Sequence, residues 1–225
     1  RDYYASRGLG DVYKRQLRVS IVILLIMSFL NMGYSCNILS YVDSFYNLET
    51  NVREKSDFVE NAVEAKYKTK NNTYIEYEKI DKAFSSLGFN KGDSDSSDNL
   101  IFYKDKQRIE VNQWKENNNS YINITIYNKN SKYKTVDLRK ILYKIDDKNL
   151  VLNECYSYYK GKSDGNIIGE LNDEGILRSS NLIKISNGYT GIANLNADEK
   201  INFAEIKYDT GSYIIIATPI IFTTY

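Results

Sequence analysis

The sequence predicts an α+β fold: a long N-terminal helix, hydrophobic then amphipathic, packed on an antiparallel β-sheet head. Three observations predict it. Val19 to Val42 carries no charge, and its length of about 24 residues exceeds the roughly 20 apolar residues that cross a bilayer. Ile38, Phe45, Val52 and Val59 then recur by sevens, beside a second series of Tyr41, Leu48 and Ala62 that Lys55 alone interrupts. Apolar residues at three-then-four spacing form one stripe on a helix. Finally, from Leu100 the pattern changes to short runs of Ile, Val, Tyr and Phe separated by Asn, Asp, Gly and Ser, which is the pattern of strands and turns.

Taken in order, residues 1–16 stand apart. Asp11 to Gln16 reads DVYKRQ, which resembles read-through of a transposon mosaic-end adapter used in sequencing libraries, so this segment is set aside from fold reasoning. Residues 17–42 form the hydrophobic half-helix, with Val19, Ile21, Val22, Leu24, Leu25, Ile26, Phe29 and Leu30 as its membrane and assembly surface. Residues 43–89 hold the amphipathic helix and a short second helix. No Gly or Pro lies between Tyr34 and Leu87, so the first helix is expected to run unbroken to about Tyr67. At about 1.5 Å per residue, some 50 residues would span roughly 75 Å. Ile38, Phe45, Val52 and Val59 form the expected helix–sheet seam.

The second helix is expected over residues 74–89, with Ile75, Ile80, Phe84 and Leu87 on one side and Gly88 as its stop. Residues 90–99 read as a polar loop. The β head covers residues 100–225. Its strand candidates include LIFYK, RIEVNQW, YINITIY, TVDLRKILYKI, NLVLNECYSYY, IIGEL, NLIKIS, INFAEIKY and SYIIIATPIIF. Ile122, Ile124 and Ile126 alternate with polar partners, which places one face of that strand in a core. DDKN at 146–149 and DTGS at 209–212 read as hairpin turns. No internal repeat is legible.

Composition excludes several kinds of function. The formal net charge is +1 and no basic cluster interleaves with aromatics, so no nucleic-acid partner is expected. Histidine is absent, which removes the commonest general base and metal ligand. Two cysteines, Cys36 and Cys155, are too few for a disulfide framework or a thiolate zinc site. The abundance of Tyr, Asn, Ile and Lys, with a single Pro, reads as an AT-rich bacterial genome.

Candidate chemistry is sparse. Asp93, Asp95, Ser97 and Asp98 open with calcium-loop spacing, but Asp98 stands where glycine is needed and Lys104 where the bidentate glutamate belongs. Cys155 has no imidazole to activate it. Gly188-Tyr-Thr-Gly191 reads as a turn and not a phosphate loop. The tyrosines offer surfaces for sugars or partners, although alternating Tyr on strands is ordinary sheet-building. No nucleophile motif, catalytic carboxylate pair or metal motif is present, so the expectation is a protein without catalysis, cofactor, metal or small-molecule substrate.

Two resemblances follow from these stretches. VSIVILLIMSFLNM is similar to the apolar half-helix of type IV prepilins, TYIEYEKIDKAFSS resembles the segment after that helix in Gram-positive minor pilins, and LRKILYKIDDKNLVLNE resembles a hairpin in their heads. This implies a structural minor pilin or pseudopilin subunit of a pilus, competence or secretion filament. Its partners would be the cell membrane and other pilin subunits, with the head outside the cell. Gly33-Tyr34-Ser35-Cys36 resembles instead the lipobox of bacterial lipoproteins, with Gly33 where that family has Leu, Val or Ile. It implies lipidation at Cys36 and a secreted or lipid-anchored surface protein with a β-rich binding domain.

Overall fold

The structure, a computed structural model, describes residues 38–94, 98–117, 119–145, 149–195 and 199–222, with side chains from Ser44 onward. The adapter-like residues 1–16, the apolar run containing Val19 to Leu30, and Cys36 lie outside the described residues.

The long helix is not what this chain builds. Helix α1 covers Ile38–Glu54 and stops there. The Lys55 amide turns back onto the Val52 carbonyl at 3.2 Å, and the Ser56 hydroxyl donates to the same carbonyl at 2.7 Å. Strand β1, Asp57–Thr69, begins immediately and occupies the second half of the expected helix. The reason is visible in its pattern. Val63, Ala65 and Tyr67 are buried on one side, while Glu64, Lys66 and Lys68 alternate with them. That is period two, and a thirteen-residue strand can bury it on both flanks. Val59 and Ala62 happen to satisfy the sevenfold series as well, so the series runs on past the true end of the helix.

The remaining elements are α2 (Thr73–Ser86), β2 (Asn90–Lys91), β3 (Asn99–Lys104), β4 (Gln107–Glu116), β5 (Asn119–Asn128), α3 (Thr135–Tyr143), β6 (Leu150–Lys162), α4 (Ile167–Asp173), β7 (Arg178–Ile185), β8 (Gly188–Asn194), β9 (Lys200–Tyr208) and β10 (Gly211–Thr218). All strands join one antiparallel sheet in the order β2-β3-β4-β5-β1-β6-β10-β9-β8-β7. Several local expectations change, and the expected loop at 90–99 opens with the two-residue β2. TVDLRKILYKI contributes α3, because Leu138, Leu142 and Ile145 fall at helical spacing and bury together. IIGEL contributes α4, and Gly188–Gly191 lies within β8. On α2, Ile80 and Phe84 are buried as expected, but Ile75 is exposed and Tyr77 takes the core position.

The topology is duplicated. Each half runs helix, strand, helix and four strands, and in each half the first strand pairs with the last. Helices α2 and α4 share their ends too. Asn72 and Asn166 are the N-caps, each followed at the same spacing by a glutamate, Glu76 or Glu170. Both helices close on a glycine of positive φ, Gly88 at 81° and Gly175 at 72°. The next amide reaches back to Phe84 O at 3.0 Å in α2 and to Leu171 O at 2.9 Å in α4, the Schellman arrangement. The two halves meet along β1 and β6, where Val63 stands opposite Ser157. Because the halves share little sequence, this repeat is absent from the residue pattern.

The helices lie on one face of the sheet, and each leading helix covers the other half. Phe45, Leu48 and Val52 of α1 pack with Tyr159, Phe203, Ile214 and Ile216 of the second half. Leu138 and Leu142 of α3 pack with Val63, Ile122, Ile124 and Ile126 of the first. Of the expected seam, Phe45 and Val52 make this contact, and Val59 belongs to β1; Ile38 opens α1, and its side chain is outside the described set.

A polar knot ties α1 to α3. Glu49 is fully buried. Its Oε2 accepts from the Thr135 amide at 3.0 Å and the Thr135 hydroxyl at 2.6 Å, and its Oε1 accepts from Asn61 Nδ2 at 3.2 Å and Arg53 Nε at 2.9 Å. A residue of the first helix thus caps the third. Arg53 also donates to the carbonyls of Ser131 and Tyr133 and stacks over Phe58 at 4.5 Å.

Two substitutions test this account. Val52→Asp places an unpaired charge in a fully buried site and is expected to cost about 3–5 kcal/mol; urea melts monitored by circular dichroism measure it. Glu49→Ala leaves the first amide of α3 without its acceptor and Arg53 without its counter-charge, and is expected to cost about 3–5 kcal/mol in the same assay.

Candidate functional site

The face opposite the described helices is the candidate site. The strand register places its side chains in rows that run across the sheet. One row is Asn99, Asn112, Asn123, Lys66 and Glu154, taken from β3, β4, β5, β1 and β6. The row beside it is Ile101, Glu110, Thr125, Glu64 and Tyr156. On the other side Trp114 lies directly opposite Tyr121, with the rings stacked at 5.3 Å and 15°. These positions follow from alternation alone: Ile109 and Val111 face the helices, so Glu110, Asn112 and Trp114 face away.

The two halves of this face differ. In the second half, Tyr158, Ala204, Ile206, Ile215 and Ala217 form an apolar cluster that Ala62 of β1 joins from the first, and Ile221 and Phe222 pack on it. The Phe222 ring sits 5.9 Å from Tyr156 and 6.0 Å from Tyr158. The first half carries amides, carboxylates and aromatic rings instead. Two of its cations are paired, Lys66 with Glu154 at 3.0 Å and Arg108 with Glu110 at 2.8 Å, and Lys68 stands exposed opposite Tyr121. Burial works against ionisation of Glu154, yet hydrogen bonds from Tyr156 and Lys66 outweigh it and hold the carboxyl below its ordinary range. Burial pushes the Tyr127 phenol up, and the charges of Glu110 and Glu64 add to the effect. Charge on and beside this part of the face is balanced, with Glu60, Glu64, Glu110 and the neighbouring Glu154 of β6 against Lys66, Lys68, Arg108 and Lys129.

Asn99 and Asn123 carry the notable chemistry. The Oδ1 of each is buried and accepts no hydrogen bond. An amide turned over would bury its nitrogen in place of its oxygen, so either orientation leaves one polar group short of a partner. Such a group is costly when nothing meets it.

A cavity of about 550 Å³ lies elsewhere, between α4 and the ends of β8, β9 and β10, lined by Asn166, Tyr189, Glu205, Lys207 and Tyr213 among others. Glu205 is half-buried there, and its Oε1 accepts from the Ile168 amide at 2.9 Å. Burial pushes its carboxyl up despite the amides of Ile168 and Ile167. The carboxylate is thus committed to the start of α4, and we read this cavity as secondary to the open face.

The residues singled out from sequence do not converge. Cys155 is a half-buried cysteine on β6 that forms no disulfide among the described residues. Asp93 and Asp98 flank three residues outside the described set, and among the described residues no cluster of three acidic, cysteine or histidine side chains could hold a metal ion. No described helix is long and apolar enough to cross a membrane. Asn99, Asn112, Asn123, Trp114 and Glu205 were not anticipated. RIEVNQW and YINITIY do show which residues share a strand face, but only the register shows that the two faces adjoin.

Glu205 yields a pH prediction. Its folded pKa lies above its unfolded one, so its favourable contribution is full below the ordinary glutamate pKa and fades as pH rises through the folded value. Glu205→Gln removes that dependence. Urea midpoints measured from about pH 4 to pH 8 are expected to match wild type at the acid end and to exceed it toward neutrality.

The chain matches no known family model, and no curated protein is significantly similar to it in sequence.

Proposed function

We propose that the chain is a non-enzymatic binding domain held at the outside of a bacterial membrane by a lipid on Cys36, with the sheet face opposite its described helices turned outward. The observation that carries this reading is the turn at Lys55 and Ser56, which ends α1 and gives Asp57–Thr69 to the sheet. Cleavage at the lipobox-like Gly33-Tyr34-Ser35-Cys36 would discard the apolar run and leave the sheet domain on Cys36. A filament subunit, by contrast, needs one helix from the apolar run through Val59, and the turn at Lys55 and Ser56 removes that support.

The absence of histidine and the dispersal of carboxylates into ion pairs support binding without catalysis. The fold also separates roles: the helices close one face and leave the other to contact what lies outside.

The test is processing of the gene product in a Gram-positive host. Mass spectrometry of the membrane fraction should find a mature chain that begins at Cys36 with a diacylglyceryl thioether, and protease added to intact cells should remove the domain. An unlipidated mature N-terminus upstream of Val19, or a domain protected from protease in whole cells, overturns the reading.

A further inference from the structure

We infer that the first half of the sheet face opposite the described helices binds a neutral oligosaccharide, held by the amide row of Asn99, Asn112 and Asn123 and by the Trp114–Tyr121 ring pair. This rests on the reading of that face as a binding surface and names its ligand class.

Four features carry it. The three amides stand side by side on adjacent strands, Asn99 opposite Asn112 and Asn112 opposite Asn123. Strands lie about 4.8 Å apart, close to the length of one sugar ring, so the row offers a repeating set of donors and acceptors along one line. A sugar hydroxyl both donates and accepts, which is what a carboxamide row needs on both of its ends. Second, the buried Oδ1 atoms of Asn99 and Asn123 lack a donor, and hydroxyl protons would supply it as the amides turn toward the ligand. Third, Trp114 is 37% exposed in the neighbouring row, two residues along β4 from Asn112, with its ring stacked on Tyr121. Paired aromatic rings beside hydrogen-bonding groups suit a ligand with an apolar C–H face and a polar rim. Fourth, charge gives this patch no preference for an acidic ligand. The ion pairs Lys66–Glu154, Arg108–Glu110 and Lys129–Glu60 cancel beside the row, and exposed Lys68, opposite Tyr121, is offset by Glu64. An acidic polysaccharide finds no net positive field to receive it. A neutral one meets only the amides and rings.

Trp114 is the single tryptophan of the chain, so its emission reports directly on this site. The full chain, kept in a sugar-free detergent, is titrated with cellohexaose, xylohexaose, chitohexaose and a galacturonic acid hexamer. At least one neutral hexamer should give a saturable emission change, and the acidic hexamer should bind more weakly. Asn112→Ala and Asn123→Ala should each weaken binding about tenfold, one lost hydrogen bond's worth. Asn112→Asp keeps size and shape, guards against a folding artefact and should weaken binding similarly, while Leu182→Ala on distant β7 should leave affinity unchanged. The inference is overturned if no neutral hexamer binds at millimolar concentration, if the acidic hexamer binds more tightly, or if the asparagine variants fold and keep wild-type affinity. A null titration alongside a lipidated Cys36 would remove the ligand class and leave the anchored domain standing.

Discussion

The antiparallel pairing of β1 with β6 is the contact on which the rest depends. These are the two longest strands, thirteen residues each, and they sit in the middle of the sheet with a complete half outside each of them. Without their ladder the halves would be separate five-stranded sheets, each missing its neighbour at a long, flat edge, which is a liability for any exposed sheet. The pairing also fixes the faces. Val63 opposite Ser157 puts both residues toward the helices, and every strand outward inherits its inside and outside from that register.

The exchange of leading helices reinforces the join. Helix α1 precedes the first half but fills the core of the second, and α3 does the reverse. Glu49 then links the two helices directly, so neither core can open without disturbing the other. A buried carboxylate of this kind is a modest source of stability beside apolar burial, yet it is expensive to break. Its value here is in arrangement: it sets the start of α3 against the side of α1, with Arg53 closing the remaining bonds.

Function follows from how the duplication is broken. Both halves bury the helix side in the same way. On the opposite side, the second half has small and apolar residues beneath Ile221 and Phe222, whereas the first half has amides, carboxylates and the Trp114–Tyr121 pair. Two copies of one topology thus hold different surfaces, one covered by Ile221 and Phe222 and one carrying unmet hydrogen-bonding capacity. A rigid ten-stranded sheet keeps the side chains of the second kind in fixed rows, which lowers the entropy lost when a ligand is bound.

Much of the local structure was legible in the residues. The alternation of Ile122, Ile124 and Ile126, the Gly88 stop of α2, the DTGS turn between β9 and β10, and the burial of Phe45 and Val52 all follow from spacing and local steric preference. The end of α1 was not legible, because Val59 and Ala62 fit period seven and period two alike and no Gly or Pro marks the change. Nor were α3 and α4, since short apolar runs such as IIGEL serve either a strand or a helix until neighbours choose. The sequence by itself determined which residues can be buried and in which periodicity. The tertiary structure decided which strands adjoin, and so decided the repeat, the polar knot at Glu49 and the row of Asn99, Asn112 and Asn123. Those features join residues far apart in the chain, and pairing across a sheet is set by the packing of whole faces, which no local pattern records.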